Sequence, residues 1–312
     1  MQEVIWGLTV NVLPLFGVVV LGFLIGNKLG SLPDYISKVL IYLLIPLLVI
    51  DEVTKVDTEQ LAIIPPMIFL LAAAMTAVAF LAKKKLGSEL DKRLLSSSFS
   101  FFNIAFFGAP IVTAIFSPDK VSTVICAYIG SAVYGDTIGY FMIARTQMNK
   151  WAAFMQVIKT PLLYAFAAAI ILNLVGFETP EALKPVAGML GWLVSGLGMF
   201  VIGCALSESK LKEIAYVQLT KLVAMRQIFA VLILGVLILG EAVTFNILEA
   251  EDRVIVALIA LFPIAATVTV FATMLDTQRK ETAALVAFSN VVSLVLASVA
   301  GIMLAAFGVG GS

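Results

Sequence analysis

The sequence predicts an all-α integral membrane protein: ten transmembrane helices in two inverted five-helix repeats, with helices 4 and 9 broken where they cross. Three observations carry that expectation. They are the composition, the number of apolar runs, and a pattern of prolines and glycines repeated between the two halves. Of the 312 residues, 61% are hydrophobic and only 13% are charged, with a mean hydropathy of +1.08. The charged share is about half that of a typical globular chain. A soluble protein so composed would expose large apolar patches, whereas lipid removes the problem. Lysine plus arginine equals aspartate plus glutamate at 20 each, so nothing points to a nucleic-acid or acidic partner. There is no histidine, and Cys126 and Cys204 each lie inside an apolar run. A metal centre, a haem or a disulfide framework is therefore not expected, and no cofactor is called for.

A spanning helix needs about 20 mostly apolar residues. Runs of that kind lie near 4–26, 35–50, 61–82, 94–116, 121–144, 160–177, 186–206, 217–240, 254–275 and 283–307. The N-terminal MQEVIWGLTV lacks a basic leader, so the first run reads as a retained span. The second is short and carries Pro46, read as a kink. The connections leave no room for a separate soluble domain.

Basic residues set the orientation. Loops after odd-numbered runs hold Lys28, Lys83, Lys84, Lys85, Lys92, Arg93, Arg145, Lys150, Lys159, Lys210, Lys212, Arg279 and Lys280. Loops after even-numbered runs hold only Lys55, Lys120, Lys184 and Arg253. The odd loops are expected on the cytoplasmic side of the cell (inner) membrane, with both termini outside. Asp51, Glu52, Asp57, Glu59, Glu249, Glu251 and Asp252 then fall on the outer face.

The halves 1–150 and 151–312 repeat. PLFGVVVLGFLIGNKLGSLP starts at Pro14 and PLLYAFAAAIILNLVGFETP at Pro161, and Pro14/Pro161 and Pro33/Pro180 share an offset of 147 residues. Five helices is an odd number, so the second half lies upside down relative to the first. Inverted repeats of this kind mark secondary transporters.

The fourth run of the first half reads FFNIAFFGAPIVTAIF, and the fourth of the second reads ALIALFPIAATVTVFA. Breaks are expected at Gly108 and Pro110, and at Pro263. Proline removes a backbone donor and clashes with the preceding turn. In lipid, backbone groups freed this way must be buried in protein or line a cavity. Interrupted helices at matching positions point to a transporter's binding site. The N-termini of half-helices suit a carboxylate.

The whole chain also resembles the auxin efflux carrier family of permeases, which has a PIN-like fold and includes plant auxin exporters and bacterial malate and malonate permeases. The similar segments are ISKVLIYLLIPLLVI (36–50), FNIAFFGAPIVTAIF (102–116), KTPLLYAFAAAIILNLVG (159–176), SGLGMFVIGCAL (195–206) and KLVAMRQIFAVLILG (221–235). The resemblance implies two inverted five-helix halves with a scaffold part and a transport part. It also implies crossing helices 4 and 9 at the substrate site, organic anions as substrates, and compatibility with a homodimer. The related bile-acid sodium symporter fold shares this layout, so a sodium-coupled symporter stays open. Asn103, Pro110 and Pro263 match the family pattern. The fifth helix departs: IGSAVYGDTIGYF carries Asp136 where family members often have asparagines.

A carboxylate inside a span costs roughly 2.5–3.5 kcal/mol on insertion scales and is a functional candidate by default. Asp136 lies about 13 Å from the cytoplasmic end at 1.5 Å per residue. It could carry a proton, or bind sodium with Asn103, Ser131 or Thr267 beside it, or pair structurally with Arg226. Arg226 could instead hold a substrate carboxylate through its planar fork, or snorkel towards its loop. Tyr128 and Tyr134 lie close enough to line the site, and Asn290 reads as inter-helix glue. The run GWLVSGLGMFVIG reads as close helix packing.

No nucleophile motif, catalytic carboxylate pair or phosphate loop is present, so no enzyme is expected. The function expected is a permease for small organic anions, working by alternating access. Candidate substrate contacts are Asn103, Gly108, Pro110, Pro263, Thr267, Tyr134, Ser131 and Arg226, with Asp136 for coupling to H+ or Na+. The competing class is a membrane-embedded metabolite sensor, against which stands the lack of a signalling domain within this chain.

Overall fold

The computed structural model describes residues 6, 10 and 13–307, apart from 55, 57, 117–119, 178, 183 and 209–214. The side chains of 58, 59, 105, 106, 110, 113, 114 and 305 are also outside the description. The start of the first run and Lys55, Asp57, Lys210 and Lys212 therefore lie outside the described residues.

Among the described residues the protein is helical, with a single isolated β-bridge. Helix α1 (Leu13–Ile25) is followed by α2 (Leu32–Val39), a π-turn at Leu40–Leu44 and α3 (Ile45–Thr54). Pro46 sits at the start of α3, directly after the π-turn. Its missing N–H is thus absorbed by local widening of the helix. The long α4 (Thr58–Leu86) keeps Pro65 and Pro66 inside it and ends on Lys83, Lys84 and Lys85, where cations suit the helix dipole. Helix α5 (Lys92–Ser100) is capped by Asp91, whose carboxylate accepts from Arg93 N at 2.7 Å. A π-turn at Ile104–Gly108 then leads into α6 (Ala109–Ile115). Helix α7 (Val121–Tyr134) passes through a π-turn at Gly135–Gly139 into α8 (Tyr140–Ala144).

The second half runs through α9 (Lys150–Lys159), α10 (Pro161–Leu174), α11 (Lys184–Ser207), α12 (Tyr216–Thr244) and α13 (Ala250–Leu258). A 3₁₀ turn at Ile259–Leu261 follows, and then α14 (Thr267–Met274) and α15 (Arg279–Ala306). Among the described residues, five spans are long and apolar enough to cross a bilayer, one of them α7 with α8 taken together as Val121–Ala144, and α9 with α10, bent by 47°, would make a sixth. The remaining described helices are shorter pieces separated by turns or breaks.

Helix contacts divide the molecule into two groups. One contains α1, α2–α3, α10 and α11; the other contains α4–α8 and α12–α15. Each group draws on both halves of the sequence. In the first group α1 and α11 touch backbone to backbone: a Cβ at Gly203 would lie 2.1 Å from Val19 O, and one at Gly22 would lie 2.4 Å from Phe200 O. The small-residue run in α11 is thus a packing surface at its Gly203 end, while a Cβ at Gly191 or Gly196 would meet nothing within 4 Å. The two groups meet where α11 packs on α14 and α15. At one end, Arg279 of α15 reaches Glu208 at 2.9 Å and Asp34 of α2 at 3.8 Å. Large apolar side chains such as Leu24, Ile171, Leu174, Val236 and Leu239 face outwards, as a lipid-facing surface requires.

Candidate functional site

Both of the runs expected to be interrupted are broken. In the first, α5 ends at Ser100 and the chain runs extended through Phe101 (φ −105°, ψ 108°) to Asn103. In the second, Phe262 is extended (φ −75°, ψ 150°), as the residue before a proline prefers, and α14 restarts at Thr267. The two unwound segments pair with each other. Asn103 N donates to Pro263 O at 2.9 Å, Ala265 N donates to Phe101 O at 3.0 Å, and Phe102 and Ile264 form an antiparallel bridge. Backbone groups freed from two helices thus satisfy one another without water.

The first break falls at Phe101–Asn103, upstream of the Gly108 and Pro110 where the sequence placed it. Pro110 stands in the first turn of α6, where a missing N–H is tolerated. Its side chain is outside the described residues. Gly108 has another role: a Cβ there would lie 2.3 Å from the Phe262 ring, so the glycine admits that ring. The second break lies at Pro263 itself, and the Pro263 carbonyl takes part in the pairing.

Each bridge residue is held by a serine from the helix that follows it. Ser131 Oγ accepts from Phe102 N at 3.2 Å and lies 3.3 Å from Phe102 O. Ser289 Oγ accepts from Ile264 N at 3.1 Å. Sequence reasoning proposed Ser131 for another purpose and missed Ser289. The signal that could have found it was a serine in the helix after each broken one. The neighbouring Asn290 donates to Val286 O of its own helix at 2.8 Å, and not across helices.

Beside the pairing lies a small cavity of about 20 Å³, with polar lining from Asn103, Tyr128, Asp136 and Thr267. Ile45 and Val194 of the other helix group close it, so it sits between the two groups. A second pocket shares Asn103 and Thr267 and adds Ser195 and Met199. A space of that size takes about one water molecule or a bare cation. Two of its lining residues each carry a buried polar atom with no hydrogen-bond partner: Asn103 Nδ2 and Asp136 Oδ1. Both residues are buried, and an orphaned buried donor or acceptor calls for a functional explanation.

Of the sequence-derived candidates, Asn103, Thr267 and Asp136 meet at this cavity. Tyr134 does not line it; its hydroxyl bonds Thr76 Oγ1 at 2.7 Å and its ring packs edge-on to Phe69. Arg226 lies elsewhere too. It is completely buried, so it does not snorkel. Its Nε donates to Phe99 O at 3.3 Å, its Nη1 donates to Phe262 O at 2.9 Å, and its guanidinium stacks 4.1 Å from the Phe102 ring centroid. It forms no ion pair with Asp136, which has no described partner of its own at Oδ1. The sequence-level pairing of these two charges is therefore replaced by bonds from Arg226 to backbone carbonyls. Those carbonyls are available because the helices are broken.

The sequence matches the family model described as "Membrane transport protein" over residues 8–300. No curated protein matches it. That family is one of transporters and not of enzymes, and with most of its length matched the chain belongs to the membrane transport protein family of auxin efflux carrier-like proteins.

Proposed function

We propose that the protein is a secondary transporter of small organic anions, carboxylates above all, working by alternating access from a site beside the paired breaks. The observation that carries this reading is the cavity between the two helix groups, lined by Asn103, whose amide donor Nδ2 has no partner. The helix starting at Thr267 begins there as well, and its partial positive end favours a carboxylate. Pro263 and Ser131 build the crossing that holds Asn103 in place, Gly108 admits the Phe262 ring beside it, and Arg226 acts from behind.

The present cavity is too small for a dicarboxylate, so substrate enters when the two groups separate. Ten spans in two inverted halves, in an inner membrane with both termini outside, suit this mechanism. The matched breaks, each with its serine, support the repeat. Asp136 is the coupling group. A sodium-coupled variant draws support from the cavity's volume, which fits a bare cation beside the free Asp136 oxygen.

Uptake of labelled malate and a panel of other carboxylates into proteoliposomes, under imposed proton or sodium gradients, tests the proposal with wild type and Asp136→Asn. Gradient-driven flux that the variant loses is expected. Flux indifferent to both gradients and to the substitution would remove coupling. Binding without flux would favour a sensor.

A further inference from the structure

We propose that Arg226 is a positioning residue that fixes the pairing of the two unwound segments, its charge balanced by the carboxyl ends of two half-helices and by no carboxylate. Arg226 sits on α12, which runs unbroken past both breaks. Two nitrogens of its fork donate to one carbonyl each from the two broken helices: Nε to Phe99 O in the last turn of α5, and Nη1 to Phe262 O just beyond the helical stretch 250–261. The first of these carbonyls is free for a clear reason. In a continuous helix it would accept from the N–H of Asn103, which is turned instead to Pro263 O.

The charge balance follows from the same geometry. A helix carboxyl end carries roughly −0.5 of an elementary charge. Two such ends converge on one guanidinium, and the Phe102 ring beneath it adds a cation–π contact. No acidic group pairs with Arg226 among the described residues. The neighbouring Gln227 reinforces the clamp, donating to Leu261 O at 3.1 Å and to Ser293 Oγ at 3.0 Å. The guanidinium holds the two carbonyls with separate nitrogens of one rigid plane, a geometry that an ammonium on a flexible stem does not fix.

The consequence is geometric. Arg226 sets where Phe101–Asn103 and Phe262–Ala265 lie relative to each other, and so where Asn103 faces the cavity. It does this without touching whatever binds there.

The test needs no substrate, so it stands or falls separately from the transport assignment. Phe101→Cys and Ala265→Cys flank the bridge as a hydrogen-bonded pair, with Cα atoms about 5.5 Å apart, a span a disulfide covers. Both native cysteines are buried and outside any disulfide and are replaced by alanine in the full-length protein, held in nanodiscs. The rate of disulfide formation under a mild oxidant then reports the pairing. With Arg226 present the crosslink forms readily. Arg226→Gln slows it about tenfold, the scale of one lost charge-assisted hydrogen bond. Arg226→Lys retains the charge and the fold, yet crosslinks closer to the Gln rate than to the wild-type rate. A folded Arg226→Gln protein that crosslinks at the wild-type rate overturns the proposal. Should the Gln variant not fold, wild-type crosslinking in Arg226→Lys overturns it equally.

Discussion

The backbone N–H of Asn103 donates to the carbonyl of Pro263 at 2.9 Å, joining residues 160 positions apart in the sequence. The bond makes a pair of unwound segments into one rigid crossing. The bond uses only the backbone of Asn103, whose side chain belongs to a residue lining the cavity and keeps Nδ2 unpartnered.

That separation of roles predicts the outcome at Asn103. Asn103→Ala keeps the backbone bond and removes only the free amide. Half-saturation for a transported carboxylate is expected to rise about tenfold, the value of one hydrogen bond to a charged group. The thermal unfolding midpoint is expected to stay near wild type. A large fall in that midpoint would mean the side chain supports the fold instead.

Asp136→Asn addresses coupling. The carboxylate is buried and one of its oxygens has no partner. Neutralising such a group does not cost stability, because the desolvation penalty of the charge disappears with it. Thermal unfolding should show equal or higher stability. Flux should lose its dependence on an imposed proton or sodium gradient. Marked destabilisation would reveal a structural charge.

The serines holding the bridge should behave as a coupled pair. Ser289→Ala leaves the buried Ile264 N–H unpaired, and Ser131→Ala does the same to Phe102. Each loss is expected to cost about 1–3 kcal/mol. The double variant should cost less than the sum, since both serines support one structure. Denaturant or thermal unfolding of the four proteins completes the cycle, and strict additivity would show that the two contacts are independent.

Within α11 the glycines divide into two kinds. Gly203→Ala drives a methyl against the Val19 carbonyl, whereas a methyl at Gly188 would meet nothing within 4 Å. The first change should destabilise by about 1–3 kcal/mol. The second should stay within about 1 kcal/mol of wild type. Comparing the two unfolding midpoints checks this, and equal effects would mean that α1 and α11 do not pack as described.

Much was legible in the sequence because it is local. Apolar share and run length specify a membrane environment whatever the contacts are, since lipid solvates each segment separately. Pro263 disclosed its break because a proline cannot donate to the helix wherever it stands. The glycine-rich run in α11 read as a packing surface, and Gly203 at its end is one, because only small residues let backbones touch; Gly191 and Gly196 meet nothing within 4 Å.

Other features were decided only by the tertiary structure. The first break moved from Gly108–Pro110 to Phe101–Asn103, where a partner strand of backbone was present to receive it. Gly108 proved to make room for Phe262, a residue no local pattern associates with it. Tyr134 turned away from the cavity to Thr76, and Arg226 chose two carbonyls over Asp136. Ser289 gave no sign beside the more conspicuous Asn290. Hydropathy and proline placement determined that this chain lives in a membrane and interrupts its helices. Which freed backbone group meets which donor depends on segments more than a hundred residues apart being brought to hydrogen-bond distance. Direction at that range is a property of the packed fold, and the sequence of either segment alone does not contain it.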